Sequence, residues 1–512
     1  MGFKRLFASS KMGARKWVVA VAALGFAGVV SAAAVAIPNL FPFLDPTGFV
    51  STYNTTGPIQ QNGAFFQSLG TNGRSCSTCH IAANAMGLSL QNVQARYLLT
   101  AGRDPLFASF DGANCPNLTS RTPQAHSLLL SNGLIRIPIT LPASPQLQFT
   151  IRAIVDPNGC AISTDPATGR QVVSIYRRPL PTTNLKFLSA VMWDGRESAA
   201  FPLSAQGNLT KDLMQQAIDA TLEHAQASVA PTEAQQNDIV QFETGLFSAQ
   251  IADAHAGLLN SDGATGGAQN LANTGFEFGI NDVLGADPNH NPFNPSAFSL
   301  FSAWQNATPR REHGPIAREV AAARADIAAG EVLFNTRAIN ITNVRGINDN
   351  AAVAAALGVS LPVASFPGTC TTCHDTPNVG DHSVALPLDL GLVHDPAQEH
   401  DPDIASSLAQ LSLAKVPVYE IDGCPDPFAV PPSTQPVKIY TTDPGKALIS
   451  GACGDVNRVK GPILRGLAAR APYFHNGAAR NLDEVLNFYN QRFQMNLTAT
   501  EKRQIIAFLN SL

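Results

Sequence analysis

Cys76-Ser77-Thr78-Cys79-His80 decides how the rest of this chain is read, and the pattern recurs as Cys370-Thr371-Thr372-Cys373-His374. Two cysteines three apart followed directly by a histidine are what covalent haem attachment requires. Each thiol forms a thioether to the macrocycle, and the adjacent imidazole is the proximal iron ligand. A zinc or thiol–disulfide Cys-x-x-Cys is the competing reading. Chance placement of 8 cysteines and 11 histidines makes even one such pentapeptide rare, so the pair is read as two sites of haem c attachment.

Working outward, 512 residues with 45% hydrophobic and 14% charged content describe a globular chain long enough for two or more domains. Lys4, Arg5, Lys11, Arg15 and Lys16 precede the apolar run from Trp17 to Val30, and small residues follow through Ala36. This is the layout of a secretory signal over 1–36, cleaved near Ala34 or Ala36. Extended to Ile37, the run is about long enough to span a bilayer, so an uncleaved anchor is the alternative. Either way the expected address is periplasmic, with a membrane as partner only if the segment is retained. Loss of those five cations takes the net charge from −4 to −9, which argues against nucleic acid. Cys115 and Cys160 follow the first haem motif, Cys424 and Cys453 the second. In an oxidising periplasm each pair is expected to form a disulfide within its own half.

Past a loop-rich lead (Asn39 to Gly63) the first motif opens a short helical region, Leu90 to Leu99. Three β-branched runs follow, 134–141, 148–155 and 172–176, broken by Pro, Asn-Gly and Asp-Pro, and predict a small β insertion. A capping box, Thr232 with Gln235, then begins an amphipathic helix bearing Ile239, Val240, Phe242 and Leu246. The last helix repeats it with Thr498, Glu501, Ile505, Ile506, Phe508 and Leu512 at the same offsets. A haem motif followed by the same closing helix, twice, is the signature of a duplicated unit. Between the units, 256–309 is rich in Gly, Asn, Asp and Pro and reads as a linker or elaborated loop. A helix from about Pro315 to Phe334 opens the second unit, and the spacer 335–369 has no evident role. The expected fold is therefore mainly α, with two cytochrome c-like haem domains at 45–255 and 310–512 and loop-rich and small β insertions, the latter at about 134–176.

Midway through each unit lies a second echo, Met192-Trp193-Asp194-Gly195-Arg196 and Ala471-Pro472-Tyr473-Phe474-His475-Asn476-Gly477. With these stretches in this order the sequence resembles the bacterial di-haem cytochrome c peroxidase family, which includes the MauG-like enzymes. The resemblance implies two covalently bound haem groups, with Trp193 the aromatic between them and His475 beside the second. Tyr489 falls where peroxidases carry a methionine and MauG-like members an iron-ligating tyrosine. It is thus the candidate sixth ligand, joining His80 and His374 as a metal ligand, with Met495 as the fallback. Aligning Leu213 with Leu482 sets Ala220, which cannot bind iron, opposite Tyr489, so the first haem is the open one. Gln216 matches the family's distal glutamine, and the acid–base residue is Glu223 or His224.

Two departures matter. The histidine that ligates the first haem in many peroxidases is Arg96 here, so reductive activation is not required unless His126 or His224 substitutes. The family's calcium site has Arg178 and Arg470 in place of an asparagine and a threonine, which disfavours calcium. His255, His290, His313, His382, His394 and His400 read as solvated.

The resemblance implies an exported peroxidase that reduces hydrogen peroxide at the first haem, with Trp193, Arg196, Gln216 and Glu223 or His224 as its working residues. Its electrons would come from a small c-type cytochrome or a cupredoxin, and a homodimer is compatible with it. The rivals are a MauG-like oxidase of a protein or organic substrate, towards which Tyr489 and Arg96 lean, and a di-haem electron carrier without catalysis.

Overall fold

The β-branched runs do form strands, but they pair far outside the segment that holds them. A computed structural model describes residues 36–198, 206–305 and 314–512; the segment read as a signal or anchor, and His313, lie outside them. Ile135–Thr140, Ile162–Thr164 and Gln171–Arg177 make one antiparallel sheet. Thr150–Val155 leaves it and pairs with Val418–Pro425, which pairs in turn with Pro436–Thr441. In that register Ile151 faces Ile421, and Arg152 binds Glu420 across the ladder at 2.7 Å. The lead is not a loop either: Gly48–Asn54 pairs with Leu246–Asp253, flanked by Phe43–Leu44 and Gly257–Leu258. Ile339–Ile341 and Phe366–Gly368 form the fourth sheet.

With about 30% helix and 16% strand in four sheets, the chain is not mainly α as the sequence suggested. Strand partners hundreds of residues apart leave no local signal, and short half-buried strands carry only a few residues of alternation.

The closing helices are Glu233–Thr244 and Ala499–Asn510, each with a complete capping box. Leu246, grouped with the first of them from sequence, instead begins a strand. Ala499–Asn510 packs against Pro315–Thr336 at Gly330, where a Cβ would meet the Gln504 carbonyl oxygen at 2.0 Å, so only glycine permits this approach.

In the described part of 256–309, Leu259, Phe298, Phe301 and Trp304 are buried with Ile327 and Phe508. This segment is core rather than tether. The spacer 335–369 contributes Ile341, Val344 and Val353 to a cluster with Phe493 and Met495. Disulfides join Cys115 to Cys160 and Cys424 to Cys453. No helix among the described residues is long and apolar enough to cross a membrane.

Candidate functional site: two cysteine–histidine cavities

Each Cys-x-x-Cys-His sequence folds into a tight turn, Cys76–Thr78 and Cys370–Thr372, closed by a capping box. His80 Nδ1 then lies 3.3 Å from the Met86 carbonyl and His374 Nδ1 2.7 Å from the Gly380 carbonyl, six residues on in both copies. Donation from Nδ1 leaves Nε2 as the lone-pair nitrogen. Burial lowers both imidazoles to about 4, keeping them neutral. The flanking rings repeat as well: Phe65 is 6.2 Å from His80 and Phe334 5.9 Å from His374. Phe242 and Phe508 of the closing helices back them.

A cavity opens beside each turn, with a volume of about 190 Å³ open to the centre of a water-sized sphere at both. Protein interiors hold few voids larger than a water molecule, so apolar spaces of this size are shaped for a cofactor-sized body. Cys76, Cys79, Cys370 and Cys373 take part in no disulfide, and burial pushes the Cys76, Cys370 and Cys373 thiols up to about 12. Two thiols, a neutral imidazole and an apolar slot in each place fit a haem.

The two cavities are built from matching helices. Gln206–Glu223 lines the first with Leu213, Gln216, Ala217 and Ala220, and His224 follows at its end. Leu482–Arg492 lines the second with Leu482, Val485, Leu486 and Tyr489, followed by Phe493. Laid on one another with Leu213 against Leu482, as the sequence suggested, the two helices have lining residues at the same offsets, with Ala220 falling at Tyr489. Tyr489 and Met495 both face the second cavity.

Of the two acid–base candidates, the structure brings only His224 to the cavity; Glu223 is exposed and does not line it. His224 Nδ1 is 2.7 Å from Asp111 Oδ2, and Arg74 binds the other oxygen of that carboxylate. Burial opposes the Asp111 charge, but Arg74 and His224 outweigh it and hold the carboxyl below its ordinary range. Arg196 also lines the first cavity, its Nη1 3.2 Å from each Asp194 oxygen.

His126 is buried away from the cavity, with Nδ1 2.9 Å from the Gly112 carbonyl and its ring on Phe107. Arg96 donates to Asp104 and, at 2.5 Å, to the Thr78 carbonyl, clamping the first Cys-x-x-Cys-His turn from outside.

Trp193, Lys460 and Pro462 line both cavities. Trp193 Nε1 donates to the Arg178 carbonyl at 2.8 Å, and its ring lies 6.0 Å from that of His475, so the two echo stretches meet edge to face between the cavities. Behind them Arg177 bridges Asp194 and Asp443, with Nε 2.6 Å from Asp443 Oδ2. Arg178 donates to the carbonyls of Leu88 (2.5 Å) and Arg470 (2.8 Å), so the carbonyl that the resemblance assigns to calcium already meets an internal cation.

Three residues were missed or misread from sequence. Glu243 lines the first cavity from its closing helix, 5% exposed, with Thr182 Oγ1 donating to its Oε1 at 2.7 Å. Burial pushes its carboxyl up to about 7. A carboxylate four residues after Ile239, on the apolar face of the helix, was the available signal. His382, read as solvated, is buried and lines the second cavity; His394, also read as solvated, is gripped by Asp389 and Glu399.

No family model matches the chain. Among curated proteins it is 29% identical over 152 residues to "Cytochrome-c peroxidase IdrP2" of Denitromonas iodatirespirans, covering 28% of this chain and 36% of that protein. It is 27% identical over 150 residues to the IdrP2 of Pseudomonas sp. (strain SCT), covering 28% and 35%. The aligned part thus spans about a third of the length of these relatives. A crystal structure of "a MauG-like protein associated with microbial copper homeostasis" aligns over 69% of this chain and 79% of that one, at 14% identity and a TM-score of 0.27. The likeness to the curated peroxidases supports the resemblance that the two Cys-x-x-Cys-His sequences carry to the di-haem cytochrome c peroxidase and MauG-like family.

Proposed function

We propose that the protein is an exported di-haem peroxidase that reduces hydrogen peroxide at the first cavity with electrons from a small c-type cytochrome or cupredoxin. Each unit, 45–255 and 310–512, would hold one haem c. The observation that carries the reading is the asymmetry of the walls. Gln216, His224 and Glu243 face the first cavity, where Val485, Phe493 and Leu509 face the second, while Tyr489 stands opposite Ala220.

Haem bound at each cradle supplies the redox iron by which peroxide takes up two electrons and two protons and leaves as two waters. The rest falls to side chains. Asp111 accepts from His224 Nδ1, which fixes the ring and leaves Nε2 as the acceptor towards the cavity. From there Nε2 takes a proton from one peroxide oxygen and returns it to the other as the O–O bond breaks. The Gln216 amide orients the substrate, and the Arg196 guanidinium complements developing negative charge. At the second cavity Val485, Phe493 and Leu509 exclude water. Trp193, pinned at Nε1, offers an aromatic stepping stone between the two spaces.

Tyr489 supports a second reading, a MauG-like oxidase of a protein or organic substrate. Rapid-mixing optical titration of the purified holoprotein with peroxide, with and without prior one-electron reduction, tests both. The peroxidase reading expects an immediate spectral change in the fully oxidised protein and sustained turnover on a reduced donor. A long-lived oxidised state with slow donor turnover favours the oxidase. Two six-coordinate low-spin haems by electron paramagnetic resonance, inert to peroxide, would sink both.

A further inference from the structure

Beside the second haem turn, three buried side chains converge that neither cavity's acid–base set uses. Asp282, Asp375 and His382 are 1%, 0% and 4% exposed, and one ligand atom of each lies within 4.8 Å of the other two. Each carboxylate is half engaged. Asp282 Oδ2 accepts the Leu284 and Ala286 amides at 3.0 and 2.9 Å, and Asp375 Oδ1 accepts the Ser383 amide at 2.7 Å. The remaining oxygens, Asp282 Oδ1 and Asp375 Oδ2, have no hydrogen-bond partner among the described residues, and neither has either ring nitrogen of His382. His382 Nδ1 stands 3.2 Å from Asp375 Oδ2 and 4.0 Å from Asp282 Oδ1, close but not aligned for hydrogen bonding. Unpaired polar atoms at such depth are costly singly; three aimed at one point call for a common partner.

We propose that Asp282 Oδ1, Asp375 Oδ2 and His382 Nδ1 bind a divalent transition cation of the zinc or manganese kind. Two carboxylates and a neutral imidazole cancel a double positive charge, and an imidazole in the set favours such ions over calcium or magnesium. The spacing suits the size: ligands at about 2.0–2.2 Å from an ion sit some 3–4 Å apart, so only a small inward movement is needed.

The frame is already fixed by other bonds. The Asn281 side-chain amide donates to the Asp375 carbonyl at 3.0 Å, and the Gly279 amide to the Ser383 carbonyl at 3.0 Å. From the first half, Ser189 Oγ donates to the His382 carbonyl at 2.7 Å. The cation would lock the 279–291 loop onto the residue that follows His374, giving part of the segment read as a linker a structural task. This assignment stands whether or not the peroxide reading does.

The test counts metals in holoprotein purified without chelator. Elemental analysis should find about one equivalent of zinc or manganese beside the haem iron. Stripping it with dipicolinate should lower the Tm, and adding back Zn²⁺ or Mn²⁺ should restore it. Asp282→Asn and His382→Ala should each weaken metal retention by at least about tenfold and lower the Tm. Asp282→Asn guards against a misfolded histidine variant, because an isolated unpartnered carboxylate replaced by an amide leaves stability unchanged or raised. That result overturns the site. So does the same metal content in wild type and Asp282→Asn, or no response of stripped holoprotein to either ion.

Discussion

The two cavities share their frame nearly residue for residue and differ in what faces inward. Leu213 answers Leu482, Ala217 answers Leu486 and Ile239 answers Ile505, while each proximal histidine donates to a carbonyl six residues on. Against that shared frame, Gln216, His224 and Glu243 stand where the second cavity has Val485, Phe493 and Leu509, and Ala220 stands where it has Tyr489. A repeated unit can thus keep its cradle and still divide labour. Side chains on the cavity wall can change without disturbing the turn, the capping box or the phenylalanine pair that holds the proximal ring.

The comparison breaks first at His224. If the polar wall does the proton work, His224→Gln should cut peroxide turnover by about 10²–10⁴-fold, the usual scale for losing a general acid–base group. Phe493→Leu at the matching place should change it little. Steady-state assays of both variants decide the matter, and equal losses would end the division of labour.

Next comes a polar element that lies behind both sides. Arg177 is fully buried between Asp194, beside Trp193, and Asp443, near His475. Arg177→Leu leaves buried Asp443 without its cation and Asp194 with Arg196 alone, and should cost about 3–5 kcal/mol in denaturant unfolding. Adding Asp194→Asn and Asp443→Asn should recover much of that, because the penalty lies in the uncompensated charges.

How far the sequence could lead follows the same division. The two Cys-x-x-Cys-His turns were legible because their pattern is local, five consecutive residues whose types leave little choice. The closing helices were legible from Thr232 with Gln235 and Thr498 with Glu501, whose capping bonds span three residues. The Ala220–Tyr489 match came from laying one unit on the other, which needs no tertiary knowledge. The pairing of Ile151 with Ile421 was not legible, since each strand's apolar side is specified only by a partner found after collapse. Nor was the core role of Phe298 and Trp304, embedded in a stretch whose Gly, Asn and Pro content advertises a loop. His382 was misread for the same reason, because burial depends on how far segments cross and not on the polarity of neighbours in sequence.

The smallest effect isolates one wall position. Glu243 carries its proton to about 7 rather than its ordinary 4.5 because burial penalises the carboxylate. The folded state therefore binds that proton more tightly than the unfolded chain. The associated stability is fully present below about 4.5 and is lost as pH rises through about 7. Wild type should lose on the order of 1–3 kcal/mol between pH 5 and 8 from this group. Glu243→Leu, which copies Leu509, should remove that slope and be the more stable protein at pH 8, as thermal unfolding across the pH series would show. If the slope survives the substitution, the pH dependence belongs to another group. If it vanishes while peroxide turnover is kept, Glu243 is a tolerated charge, and the working difference between the cavities narrows to Gln216 and His224.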